Sequence, residues 1–142
     1  MNENVEMLNY IYQNAKMGKS TIDQIIKEVS DITFKDVLNE QLKDYEKVID
    51  NTKVYLSEFN KQEKDITDLS KIVTYLSIKM STLNDDTSSH IADMLIKGST
   101  MGTVEITKKL NKYTNIDESI KMLASKLLKI EENNIEKLKK YL

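Results

Sequence analysis

Apolar residues in this chain recur at alternating steps of three and four over stretches of about 25 residues, the spacing that lines up one face of an α-helix. The first stripe runs Val5, Leu8, Tyr12, Ala15, Lys19, Ile22, Ile26 and Val29, and the second Leu38, Leu42, Tyr45, Ile49, Thr52, Leu56 and Phe59. A third follows Ile91, Ala92, Leu95, Ser99, Gly102, Ile106, Leu110 and Tyr113, and a fourth Ile116, Ile120, Leu123, Leu127, Ile130, Asn134 and Leu138. The residues that turn strands back on themselves are missing: there is no proline, no Asn-Gly and no Asp-Gly, and only three glycines. A sandwich or barrel is thereby excluded, and an all-α chain is expected.

The breaks between stripes place the helices at about 3–30, 33–59, 88–113 and 115–141, with a shorter one at 66–83, all within one domain spanning 1–142. Thr33 with Asp36, and Thr114 with Asp117, have the three-residue spacing of helix-start capping pairs. Helices of ~25 residues are ~38 Å long and can bury their stripes against one another along most of that length. The first link is short and the link from Phe59 to Ser89 is long. That pattern predicts an antiparallel four-helix bundle with a long crossover between helices 2 and 3, carrying the short extra helix.

Composition removes several function classes. The 21 basic residues are all lysine against 23 acidic ones, for a net charge of −2. Without guanidinium forks, and with lysines interleaved with acids as in Lys35, Asp36, Glu40, Lys43, Asp44, Glu46 and Lys47, no nucleic-acid partner is expected. The absence of cysteine removes thiolate metal sites and cysteine nucleophiles. No apolar run approaches the ~20 residues of a membrane span, and the start Met1 to Glu6 is polar, so no membrane insertion and a cytoplasmic location are expected. Heavy use of Lys, Asn and Ile suggests a bacterial source.

The helix order and the segments "LNYIYQNAKMG", "LNEQLKDYEKVI", "IADMLIKGSTMGTVEITKKL" and "LLKIEENNIEKLKKYL" resemble the ferritin-like, rubrerythrin-related small four-helix bundles of low-GC anaerobic bacteria. The resemblance implies a di-iron site of inward glutamates with a Glu-x-x-His on each of two helices. This sequence departs from that set. Its only histidine, His90, lies at a helix start; the last helix reads Glu131-x-x-Asn134, and the second offers Gln41-x-x-Asp44. Ser99, Gly102 and Thr103 stand on the third long helix, and Ala15 and Gly18 on the first, where inward acids are wanted. With the ligands largely missing, neither a catalytic residue nor a cofactor is expected. The alternative is a reduced site for iron or another divalent metal on Glu131, with Glu105 from the neighbouring helix.

Glu131 and Asn134 fall inside an apolar stripe, and a carboxylate buried without a partner costs several kcal/mol. They are expected to form a structural polar layer with Tyr12, Lys19 and Tyr45, an ion pair of Lys19 with Glu131 being a second way to hold the carboxylate without metal. The glycines Gly18, Gly98 and Gly102 all sit inside helical periods, where each costs up to about 1 kcal/mol relative to alanine. Their expected benefit is close approach of helices, giving a tightly packed bundle centre. The methionines are expected to fill the core. Ser88, Ser89 and His90 are neighbours in sequence and make no triad. The expected function is non-enzymatic, acting as a homodimer or on a helical partner through the second apolar row Leu128, Ile135 and Leu142.

Overall fold

The computed structural model describes residues 2–61 and 88–142. Among these it is all-helical, with four long helices packed together: α1 (Glu3–Ile25), α2 (Ile32–Glu58), α3 (Ser88–Lys112) and α4 (Glu118–Lys139). The helix expected at 66–83 lies outside the described residues. Helix α1 packs chiefly on α2 and α3 on α4, while α2 meets α4 and α1 meets both α3 and α4. Each helix turns its stripe inward, and the core joins Met7, Leu8 and Ile11 of α1, Phe34 and Leu38 of α2, Ile91 and Ile106 of α3, and Leu127 and Leu138 of α4.

The ends of the helices follow local chemistry. The Asn2 side chain accepts a hydrogen bond from Asn4 N, and Glu3 and Glu6 set negative charge against the positive end of the α1 dipole. After Ile25 the chain tightens into one 3₁₀ turn, Ile26–Glu28, before α2 begins. The cap of α2 is Asp31, whose Oδ1 accepts from Phe34 N at 3.0 Å, and not the expected Thr33 and Asp36. An aspartate three residues before an unsatisfied N–H is sufficient, which leaves Thr33 exposed inside the first turn. At the far end Asn60 takes a left-handed φ of 57°, and Lys61 N and Asn60 N donate to the carbonyls of Leu56 and Ser57. That pair of bonds is a Schellman closure with asparagine in the place usually held by glycine.

The turn between α3 and α4 is tied to the start of α1. Glu3 Oε2 accepts from Asn115 N at 3.0 Å, and Asn4 Oδ1 accepts from Asp117 N at 2.8 Å. Asp117 caps α4 by position only, with no side-chain hydrogen bond, so the expected Thr114 and Asp117 capping pair does not form. Elsewhere the Phe34 and Tyr141 rings pack 4.5 Å apart at a 44° tilt.

Two expectations about apolar surface change. Met7 is fully buried, but Met101 and Met122 are 70% and 67% exposed and fill no core. In the second row of α4, Leu128 packs against the core and Ile135 is half-buried, which leaves Leu142 as its one exposed member.

Candidate functional site

At mid-height the stripes of the helices carry polar residues, and these converge. Glu131 and Asn134 share one face of α4, three residues apart, and both are buried. Facing them from α2 is Tyr45, also buried. The Tyr45 hydroxyl donates to Glu131 Oε1 at 2.8 Å and accepts from Asn134 Nδ2 at 3.3 Å. The three side chains thus form a relay with all donors pointing toward the carboxylate. From α3, Ser99 lies beside Tyr45 and Glu131 and also favours the charged form of the carboxylate.

These groups do not satisfy Glu131 completely. Its Oε2 makes no hydrogen bond of good geometry, and Gln41 Nε2, buried one turn before Tyr45 on α2, has no partner either. No lysine or histidine pairs with Glu131 among the described residues. Burial therefore dominates its chemistry: it pushes the carboxyl up to about 7, against the lowering effect of the bonds from Tyr45 and Ser99. Burial, reinforced by the Glu131 charge, likewise holds the Tyr45 hydroxyl well above its ordinary range. Tyr10, on α1, is raised by the same cause.

Glu131 and Gln41 both line a cavity of about 440 Å³, partly open to solvent, with their unpaired atoms just beneath its wall. Its walls come from all four helices and are mainly apolar, with Met17 and Ile22 from α1 and Met94, Leu95 and Met101 from α3. Gln41, Tyr45, Ser99 and Glu131 supply the polar end, while Tyr10, Asn14 and Glu105 complete the lining on the α1 and α3 sides. Volume and lining both fall in the range of small-molecule sites, which are concave, chiefly apolar and furnished with a few polar groups.

The glycines explain the space, though not in the way their helical positions suggested. A Cβ on Gly18 would stand 2.5 Å from Tyr45 Cζ, so here the missing side chain admits the tyrosine ring. A Cβ on Gly98 would meet nothing within 4 Å, and one on Gly102 would touch Glu131 Cδ at 3.4 Å. Among the described residues no neighbouring helix presses on Gly98, and the expectation of close helix packing fails there. Gly98 and Gly102 instead bound the cavity, so the expected tight centre is hollow. Sequence spacing shows that a side chain is absent, but a void and a closely packed backbone leave the same trace.

The other expected site residues fall as follows. Lys19 pairs with Asp23 on its own helix at 3.1 Å and not with Glu131, because an i, i+4 partner near the surface avoids burying an ammonium group. Tyr12 is buried in the core. Glu105 reaches the cavity rim, is about half exposed, and pairs with Lys108 at 3.3 Å. Among the described residues no three His, Cys, Asp or Glu side chains gather as a metal-binding group, whereas iron and zinc take four or more donors. His90 sits half-buried in the first turn of α3. Gln41 belongs to the site for a reason the Gln41-x-x-Asp44 spacing does not convey; its place on the buried stripe, four residues before Tyr45, is the signal in the sequence.

No family model matches the chain, and neither do the curated proteins or the solved structures searched. The resemblance to ferritin-like bundles therefore rests on the residues quoted for it alone. Among the described residues no helix is long and apolar enough to cross a membrane.

Proposed function

We propose that this protein is a helical-bundle receptor for a small, largely apolar molecule, held in the cavity between the four helices with its polar end at Glu131 and Gln41. The observation that carries this is the coincidence of two deeply buried polar side chains, each with one unpartnered atom, and an apolar cavity of about 440 Å³ that both line. Leaving buried polar atoms unpaired costs on the order of 1–3 kcal/mol each, an expense that a ligand making those bonds removes. Binding and not turnover is the proposed activity, and among the described residues nothing in the lining resembles an activated nucleophile. The antiparallel order and ferritin-like crossover belong to the same proposal. The three-residue link from Val29 to Asp31 between two helices that pack on each other supports the first hairpin.

Titration with the neutral dye Nile red tests the proposal. Its fluorescence should rise and saturate with the wild-type protein and should fall sharply with Gly98→Leu, which places a side chain over the cavity. No saturable binding by the wild type would refute it.

Association with a second copy is the other proposed role. It is favoured by Met101 and Val104, which are exposed on α3 three residues apart. A monomer at all concentrations in sedimentation equilibrium would exclude that role.

A further inference from the structure

Resting on the ligand-binding reading, we propose that the cavity selects an apolar amine in its cationic form, with the ammonium group seated on Glu131 Oε2 and the apolar body against Met17, Met94 and Leu95. The charges of the lining point this way. Among the described residues its only ionisable carboxylates are Glu105 and Glu131, and no lysine or histidine lines it. Glu131 is the deeper of the two, 3% exposed, with one oxygen held by Tyr45 and the other unpartnered. An ammonium group that draws the Glu131 carboxylate toward the cavity bonds that oxygen and supplies the counter-charge the fold withholds.

The neighbouring groups are compatible with a cation. From α2, Tyr45 donates its proton to the other oxygen, and Gln41 has a terminal amide torsion that is broad and two-fold, so its carbonyl can turn toward a second N–H. From α1, Tyr10 lines the cavity, and the ammonium of Lys109 lies 5.3 Å from its ring centroid. From α3, Glu105 adds negative charge at the rim, moderated by Lys108. Aromatic faces and methionine sulfurs are also favourable surroundings for an organic cation.

Recognition of this kind is linked to protons. Free Glu131 is about half ionised near pH 7, and a cation binds only the carboxylate, so binding releases the remaining proton to solvent. Affinity for an amine that stays charged should therefore be about tenfold tighter at pH 8 than at pH 6.

Isothermal titration calorimetry with phenylbutylamine, phenylbutanol and phenylbutyrate, which share one apolar body, tests this on the intact protein. The expected result is that the amine binds more tightly than the other two and gains affinity with pH. It should also release protons at pH 7 and be at least tenfold weakened in Glu131→Gln, whose folding is verified by circular dichroism. Equal or tighter binding of the alcohol or the acid, or an affinity that falls with pH, overturns the proposal. If Glu131→Gln does not fold, the pH profile and proton release of the wild type decide alone. Binding of Nile red without binding of the amine refutes cation selection and leaves the cavity reading standing. Failure of every probe refutes both.

Discussion

The Tyr45 hydroxyl donates to Glu131 Oε1 at 2.8 Å, joining α2 and α4 across 86 positions of sequence at the wall of the cavity. Replacing Tyr45 by phenylalanine leaves that oxygen without its donor and Asn134 Nδ2 without its acceptor. The expected loss of stability is about 1–3 kcal/mol. It should be larger at pH 8, where the carboxylate is charged, than at pH 5. Urea unfolding at the two pH values checks this, and an equal loss at both would contradict the assigned bond.

Glu131 also makes the whole protein sensitive to pH. In the folded chain its carboxyl holds a proton up to about pH 7, whereas its ordinary value is 4.5. Between those values the folded state binds more protons than the unfolded one, so stability is fully present below about 4.5 and falls as the pH rises through 7. The loss over that window is on the order of 3 kcal/mol. Glu131→Gln should flatten this part of the stability profile, as followed by chemical denaturation from pH 5 to 8. A profile parallel to the wild type would show that another group is responsible.

The two glycines Gly18 and Gly98 should respond oppositely to the same substitution. Gly18→Ala forces a methyl group into the Tyr45 ring and should destabilise the protein by about 1–3 kcal/mol. Gly98→Ala meets open space within a helix and should stabilise it by up to about 1 kcal/mol. Melting temperatures of the pair, compared by differential scanning calorimetry, should move in opposite directions.

At the start of α2, Asp31→Ala removes the side-chain bond to Phe34 N and should cost about 1 kcal/mol. Thr33→Ala should change stability by much less, since Thr33 is exposed and Asp31 holds the cap. Thermal unfolding of both variants tells which residue starts the helix.

The contrast between Asp31 and Thr33 shows where sequence reasoning reaches its limit. Helical stripes are periodic over many residues, so the all-helical architecture and the presence of Glu131, Asn134 and Tyr45 on inward rows were legible. Single-residue choices were not: the spacing points to Thr33 as the cap, whereas Asp31, two positions earlier, holds it, and only backbone geometry separates the two. The pairing of Tyr45 with Glu131 depends on how distant helices align, which no local spacing encodes. Lys19 misled because its place on the stripe suggested an inward ammonium, while its long stem allows the charge to reach Asp23 near the surface. The cavity was hidden most completely, since Gly98 and Gly102 record only that side chains are missing.

Gly18 and Tyr45 together also act as a notch and a key. The ring lies where α1 has no side chain, and one helical turn in either direction it would meet Asn14 or Ile22 instead. Sliding α1 against α2 by a turn is therefore blocked by a single ring, although stripes that repeat every three and four residues would otherwise tolerate such a slip. The same contact that positions the hydroxyl on Glu131 thus indexes the two helices, tying the alignment of the hairpin to the polar end of the binding cavity.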